Sequence, residues 1–346
     1  MKILLIDSVK FFTKWGEHNT GWYFKMRALG LMQLAAYFPE DTVIRDDLNN
    51  NHTPKRTAKI LMEYNHPSNV IGISSHSSRD ARNSFYTLKL VRSYAPFATV
   101  IMGGHHATFF HKKWVKAGAD IVIRREGEIS YSTIINKLKE IQNIQSKITK
   151  EDLIGTTFAS EWFHRVNGEV VPNIFAEKFL LTDPNNWKKI YDMPQFFWKR
   201  EFSNQPDRPF SQTLDDFPFP DRTKVDNSKN LFYPVLGKGY HSCIEGARGC
   251  PFSCRFCSTK NMWKQQVRFK SPERLIKEII ECLKLNIRKF TFIDESWGVN
   301  TDQAWGFING IKEANLDISW SIQIKVDRIV EKPEMMISRK ETGGNK

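Results

Sequence analysis

Cysteine is scarce in this chain of 346 residues: there are five, and none stands before Cys243. So small and odd a count excludes a disulfide framework and suits a reducing compartment. Long apolar runs are missing as well. No stretch approaches the roughly 18–20 residues of a membrane span, and "MKILLIDSVK" is too short an apolar start for a secretory signal. A cytoplasmic protein with no membrane partner is therefore expected. The opening strand is not followed by G-x-G-x-x-G, which argues against a dinucleotide, and no G-x-x-x-x-G-K-S/T cradle for phosphates is present. Dense basic runs are lacking too. The formal charge is +13, but the 51 Lys and Arg are spread along the chain. That permits an anionic partner without specifying one, so nucleic acid is not expected.

What remains is an ordinary globular balance, 40% hydrophobic and 26% charged, long enough for two domains. The first 145 residues alternate apolar runs of strand type with segments of helical spacing. "KILLID" (2–7), "TVIRD" (42–46), "NVIGIS" (69–74), "ATVIMGG" (98–104) and "DIVIRR" (120–125) read as strands. "MRALGLMQLAAYF" (26–38), "KRTAKILMEY" (55–64), stretches near 80–95 and 111–117, and "EISYSTIINKLKEI" (128–141) read as helices. This order argues for an open parallel sheet covered on both faces. Ligands of such sheets bind beyond the carboxyl ends of the strands. The loops there are 8–23, "SSHSSRD" (74–80) and "GGHHATFF" (103–110). Gly103 and Gly104 let a ligand approach the backbone, although these residues alone read more readily as a glycine-assisted turn with surface histidines.

Residues 146–240 are less regular, with short strand candidates in "GTTFAS" and "HRVNGEVV". "LDDFPFPDR" (214–222) reads as an extended, proline-stiffened strap. The whole segment is expected to be a linker. From 241 the rhythm returns: "HSCIEGAR", a helix opened by Ser271-Pro272-Glu273, the strand "KFTFID" (289–294), a helix near 301–314 and a strand "ISWSIQIKV" (318–326). A further helix and a Gly-rich exit follow. Three strands do not close a barrel, so a fragment, or one half completed by a separate chain, is expected.

Three of the five cysteines fall within eight residues of "GARGCPFSCRFCSTKNMW": Cys250, Cys254 and Cys257, spaced C-x3-C-x2-C. Thiolates at this spacing suit zinc or an iron–sulfur cluster. A closed zinc site needs a fourth ligand, for which Cys243 and His241 are the nearest candidates. A four-iron cluster held by three cysteines leaves one iron open to an external donor. Both readings stand on spacing alone. Cys282, within a helix, reads as a packed core thiol.

The loop, with aromatic Phe256 before its last cysteine, resembles the radical S-adenosylmethionine (SAM) superfamily. "RGCPFSCRFCS", "RFKSPERLIKEI" and "FTFIDESWGVN", together with "GLMQLAAYF", "VIGISSHSS", "VIMGGHHATFF" and "DIVIRREGE" in the front half, resemble its cobalamin (B12)-binding branch. The resemblance implies an α/β chain: a Rossmann- or flavodoxin-like B12-binding domain at 1–145, a connector at 146–240 and an incomplete radical SAM partial barrel at 241–346. It implies a 4Fe–4S cluster on Cys250, Cys254 and Cys257, with SAM on the open iron. Phe256 would lie against adenine, Asp294 and Glu295 near the methionine amino group, and Lys325 near its carboxylate. Cobalamin would meet Ser74, Ser75, Gly103, Gly104, His106 and Thr108.

Two departures from the branch stand out. The D-x-H-x-x-G that ligates cobalt has no complete copy: His18 and Gly21 are in place, but Gly16 stands for the Asp, so cobalamin without a protein ligand is expected. Asp7-Ser8-Val9 replaces a common Asn-Pro-Pro turn. The implied reaction is reductive cleavage of SAM and methyl transfer to an unactivated carbon of a small molecule, with flavodoxin or ferredoxin as electron donor. No catalytic side chain is assigned. A tRNA methylthiotransferase would carry further cysteines early in the chain, and none are there. A non-catalytic corrinoid, iron–sulfur or zinc-binding protein is the alternative.

Overall fold

The computed structural model describes residues 1–7, 29–46, 53–78, 80–143, 146–169, 171–192, 200–225 and 240–344. His18, the 8–23 loop and Ser8-Val9 lie outside them. The chain divides into two compact units, with the change between Phe210 and Ser211.

The first unit is one seven-stranded sheet. Its strands are β1 (Ile3–Asp7), β2 (Thr42–Asp46), β3 (Val70–Ser74), β4 (Thr99–Gly103), β5 (Ile121–Ile123), β6 (Thr156–Ala159) and β7 (Phe202–Asn204). They lie in the order β2-β1-β3-β4-β5-β6-β7, the first five parallel and the last two antiparallel. β1, β3 and β5 are buried at every position, as strands covered on both faces must be, so each reads as a short unbroken apolar run. The order reverses between β1 and β3, and the loop leaving the carboxyl end of β3 borders that switch.

Residues 146–210 are not a linker. β6 and β7 pair on the free edge of β5 and extend the sheet, satisfying main-chain groups an edge strand would expose. "HRVNGEVV" is not a strand either. Ser160–Val166 is a helix that buries Trp162, whose Nε1 donates to Thr99 Oγ1 at 3.1 Å, and Gly168 (φ +87°) follows it. At the amino end of β5, away from the loops of interest, Asp120 accepts from Val100 N (2.8 Å) and pairs with Arg92 Nη2 (2.7 Å). Arg200, from the segment read as linker, donates to Ala119 O (2.9 Å) and pairs with Glu161. The linker reading failed because these partners are distant in sequence and the strands are three or four residues long.

The second unit holds β8 (His241–Ile244), β11 (Lys289–Phe292) and β12 (Ser319–Ser321), parallel in the order β12-β11-β8. A short antiparallel pair, β9 (Ala247–Arg248) and β10 (Arg268–Phe269), flanks the cysteine loop. Ser271 caps the helix Pro272–Lys284 by accepting from Arg274 N at 3.1 Å, with Pro272 in the first turn. Asn300 caps Thr301–Glu313 in the same way. Phe290, Phe292, Phe307 and Trp320 are fully buried between these helices and the strands. After Pro333–Glu341 the chain returns to β12, where Gly344 bridges Trp320 in parallel register. Among the described residues no helix is long and apolar enough to cross a membrane.

The proline-rich strap belongs to this unit. Arg222 at its end donates to Ser242 Oγ (2.8 Å), Cys243 O (2.9 Å) and Glu278 Oε1 (2.6 Å), and Lys270 Nζ reaches Glu278 Oε2 at 2.9 Å. All three charges are buried. Burial would raise the Glu278 carboxyl, but Lys270 and Arg222 override it and hold it at about 2. A depressed acid contributes stability above its unfolded value near 4.5 and loses it as pH falls toward 2. Glu278→Gln should therefore cost about 3–5 kcal/mol at neutral pH, because two buried cations lose their counter-charge. Urea midpoints at neutral and acid pH check this: the variant should lie far below the parent at pH 7 and the gap should narrow in acid.

Candidate cofactor-binding sites

In the first unit the sequence-selected residues gather where β3 and β4 end. Ser74 Oγ lies 2.7 Å from His76 Nε2. Ser75 N donates to Gly103 O (2.9 Å), and Ser75 O accepts from His106 N (3.1 Å) and Ala107 N (3.3 Å). One carbonyl thus catches two amides at the start of the helix His105–Phe109. Gly104 makes the approach feasible: its φ is +103°, and a Cβ there would stand 2.6 Å from Ser75 O. A Cβ on Gly103 would meet nothing within 4 Å, so that position opens on free space. Ser75 is 0% exposed, and its hydroxyl has no hydrogen-bond partner among the described residues. An open position beside an unsatisfied buried hydroxyl suits the polar periphery of a bound ligand.

Thr108 is spent internally: its hydroxyl donates to Gly104 O (3.0 Å) and accepts from Arg125 N (2.8 Å), with Arg125 itself at φ +61°. His106 stacks on Phe110 at 4.5 Å and accepts from Trp114 Nε1 at its Nδ1 (3.2 Å). An indole N–H only donates, so the proton of the neutral imidazole sits on Nε2 and the ring offers a donor rather than a lone pair. Burial, and then Lys113, lower its pKa against a weaker opposing pull from Asp80, which favours that neutral form. Sequence reading missed Trp114 and Arg125. Helical spacing from Phe110 could have suggested Trp114, whereas nothing local marks the left-handed Arg125.

In the second unit the cysteine loop leaves β9 and is held at both ends from the end of β11. Asp294 Oδ1 accepts from Gly246 N at 2.7 Å, and its carboxylate also takes the Ala247 amide. Glu295 uses both oxygens, accepting from Gly249 N (3.0 Å) before the first cysteine and from Trp263 Nε1 (2.5 Å) after the last. Gly249 has φ +99°, and a Cβ there would fall 1.9 Å from Gln266 O, so only glycine fits. Between these clamps Cys254 is exposed and Cys250 and Cys257 are half-buried, with Cys257 N donating to Cys254 O at 3.2 Å. Burial pushes the Cys250 thiol up, the Phe252 amide opposes it, and Glu295, Cys257 and Cys254 add to it.

Among the described residues no three His, Cys, Asp or Glu side chains are drawn together as around a single metal ion. His241 and Cys243, the candidates for a fourth zinc ligand, are buried on β8. Three thiols on one loop are the donor set of a four-iron cluster that leaves one iron open. Phe256 is 93% exposed, a bare ring in the middle of this loop. Lys325 Nζ lies 3.6 Å from the centroid of Phe252, also in the loop, and 2.9 Å from Asp327 Oδ2. Ser296, missed from sequence, is buried next to Glu295 with its hydroxyl unpartnered among the described residues. Cys282 is buried in the helix core.

Residues 22–135 match the B12 binding domain family. An uncharacterized methyltransferase of Pyrococcus horikoshii is 26% identical over 310 residues, 88% of this chain and 56% of that protein. Two solved structures share the fold across 99% of the chain. One is the radical SAM methyltransferase TsrM of Kitasatospora setae with cobalamin and a 4Fe–4S cluster bound (TM-score 0.59, 12% identity, 58% of that chain). The other is the cobalamin-dependent SAM radical enzyme OxsB with aqua-cobalamin bound (TM-score 0.65, 14% identity, 43% of that chain). The chain spans about half the length of the curated relatives it matches. The B12 binding domain match falls on the first unit, and the fold of the whole chain is shared with these two solved structures.

Asp294 is 2% exposed, and burial pushes its carboxyl up to about 7, against the pull of the Gly246 and Ala247 amides. Between 3.8, its unfolded value, and about 7 the folded state holds the extra proton, so stability falls as pH rises through that window. Asp294→Asn keeps an oxygen for Gly246 N–H and removes the titration. Its urea midpoint between pH 5 and pH 8 should lose the downward slope seen in the parent, and an unchanged slope would assign the effect elsewhere. Gly249→Ala should prevent the loop from closing, read as loss of iron retention in a chain whose helical circular dichroism survives.

Proposed function

We propose that this chain, a relative of cobalamin-dependent radical SAM methyltransferases, is the cofactor-binding part of such an enzyme. Its reaction would be methyl transfer to an unactivated carbon of a small molecule. The carrying observation is one conjunction. A B12-type sheet, open at Gly103 beside an unsatisfied Ser75 hydroxyl, precedes a three-thiol loop clamped by Asp294 and Glu295 at the end of a parallel strand.

Cys250, Cys254 and Cys257 would hold a 4Fe–4S cluster and leave one iron for SAM. Bound together, the cluster supplies the electron that cleaves the sulfonium, and cobalamin carries the methyl group. The chain's own residues bind and orient. Phe256 offers its bare ring to adenine. Lys325, resting on Phe252, brings a positive charge beside the loop for the methionine carboxylate. Glu295 holds the loop through both its oxygens and Asp294 through the Gly246 and Ala247 amides, which leaves the buried Ser296 hydroxyl as the polar group toward the amino end of the ligand. In the first unit Ser75, Gly103 and the Nε2–H of His106 would meet the corrinoid's polar substituents, while Ser74, Gly104 and Thr108 shape the backbone that presents them. Flavodoxin or ferredoxin is the expected electron donor, and the reducing cytoplasm is where such thiolates persist.

Anaerobic reconstitution with iron and sulfide tests this reading. About four irons per chain are expected, with an EPR signal of the reduced protein that changes on adding SAM, and cobalamin retained through gel filtration. Cys254→Ala should lose most of the iron while the chain stays folded. Stoichiometric zinc, or a folded chain that keeps no iron, would overturn the proposal.

A further inference from the structure

Residues 246–272, which contain the cysteine loop, carry six basic side chains and no Asp or Glu. Three of the six are spent within the fold. Arg248 pairs with Glu245 (2.9 Å), Lys270 with Glu278, and Arg268 donates to Ser211 O (3.0 Å) while lying over the Trp263 ring. The other three are Arg255, Lys260 and Lys264. Arg255 and Lys264 are exposed and Lys260 is partly so. Arg255 and Lys260 have no ion-pair partner among the described residues. They flank Cys257 and lie on the loop and on the short helix Thr259–Trp263 that follows it. Successive left-handed residues, Lys264 (φ +51°) and Gln265 (φ +60°), end that helix and turn the chain back toward β10.

We propose that the exposed basic side chains of the loop and its short helix, Arg255 and Lys260, form the docking surface for an acidic one-electron carrier protein, a reduced flavodoxin or ferredoxin. The inference rests on the cluster reading above and adds where the electron enters. One electron passes from the reduced carrier to the cluster, oxidising the carrier and reducing the cluster, with no bond made or broken. Electron transfer weakens steeply with distance, so a carrier must approach the loop that holds the thiols, and the exposed Cys254 sits beside Arg255. Complementary charge orients and accelerates such brief encounters without a large apolar contact. Single-stranded RNA is the competing anionic partner. It would need aromatic platforms beside the charges, and the bare ring here, Phe256, is assigned to adenine.

Stopped-flow reduction of the reconstituted full chain by reduced flavodoxin, followed by cluster bleaching, tests this. The parent's rate should fall steeply between about 50 and about 500 mM KCl. Arg255→Glu with Lys260→Glu should slow it about tenfold or more at low salt. Reduction of that variant by dithionite should match the parent, and Lys277→Glu, on an exposed face of Pro272–Lys284, should change neither rate. Lys260→Glu alone, outside the cysteine spacing, should give a smaller slowing in the same direction if the double variant binds iron poorly. A salt-independent parent rate, a double variant reduced at the parent's rate, or a parent that neither flavodoxin nor ferredoxin reduces would overturn the inference. So would a single-stranded RNA oligonucleotide that binds this face while carrier reduction is unaffected by the charge reversal. A parent that dithionite cannot bleach, or that holds no iron, overturns the cluster reading itself and this inference with it.

Discussion

A main-chain amide that runs past the carboxyl end of a parallel strand loses its ladder partner and must find another acceptor. Both candidate sites are built from the groups that supply one. In the first unit Ser75 O takes the amides of His106 and Ala107, and Gly104 is the residue that lets the chain come close enough. In the second, Asp294 takes those of Gly246 and Ala247, and Glu295 takes that of Gly249. The loops are thereby fixed by their frames, and the Ser75 hydroxyl and the space at Gly103 in one, and the exposed Cys254 and Phe256 in the other, lie outside those hydrogen bonds.

Charge is divided within each unit. Buried ions paired with opposite charges stand away from the ligand loops: Arg92, Asp120 and Arg200 at the amino end of β5, and Arg222, Glu278 and Lys270 between strap, helix and β10. Removing one member would strand the others in a low-dielectric interior, so such sets fix geometry more than they add net stability. Groups with unfinished hydrogen bonding lie at the strand ends instead. Ser75 and Ser296 are both buried there, and Asp294 is buried there without a cationic partner among its closest groups.

The central strands were legible because a parallel sheet buried on both faces leaves an unbroken apolar run, as in β1 and β3. The cap at Ser271 and Pro272 was legible because it is a contact over three residues. The segment 146–210 was not. β6 and β7 owe their existence to the open edge of β5, and the helix Ser160–Val166 to the burial of Trp162 beneath Thr99, neither of which composition records. The proline-rich strap read as a connector, yet Arg222 completes the charge set around Glu278, fifty-six residues away.

The amino-acid sequence alone determined the alternation of strand and helix, the order of the two units and the spacing of three thiols. Each of these is a local pattern of side-chain type. Tertiary structure decided what the polar residues of the sites do. Asp294 and Glu295 looked like ligand-facing acids at a strand end, but they reach back 48 and 46 residues to hold the loop's own amides. His106 looked like a free imidazole, but Trp114 fixes its proton on Nε2. A side chain's chemistry is set by the partners that folding brings to it, and a one-dimensional pattern does not contain them.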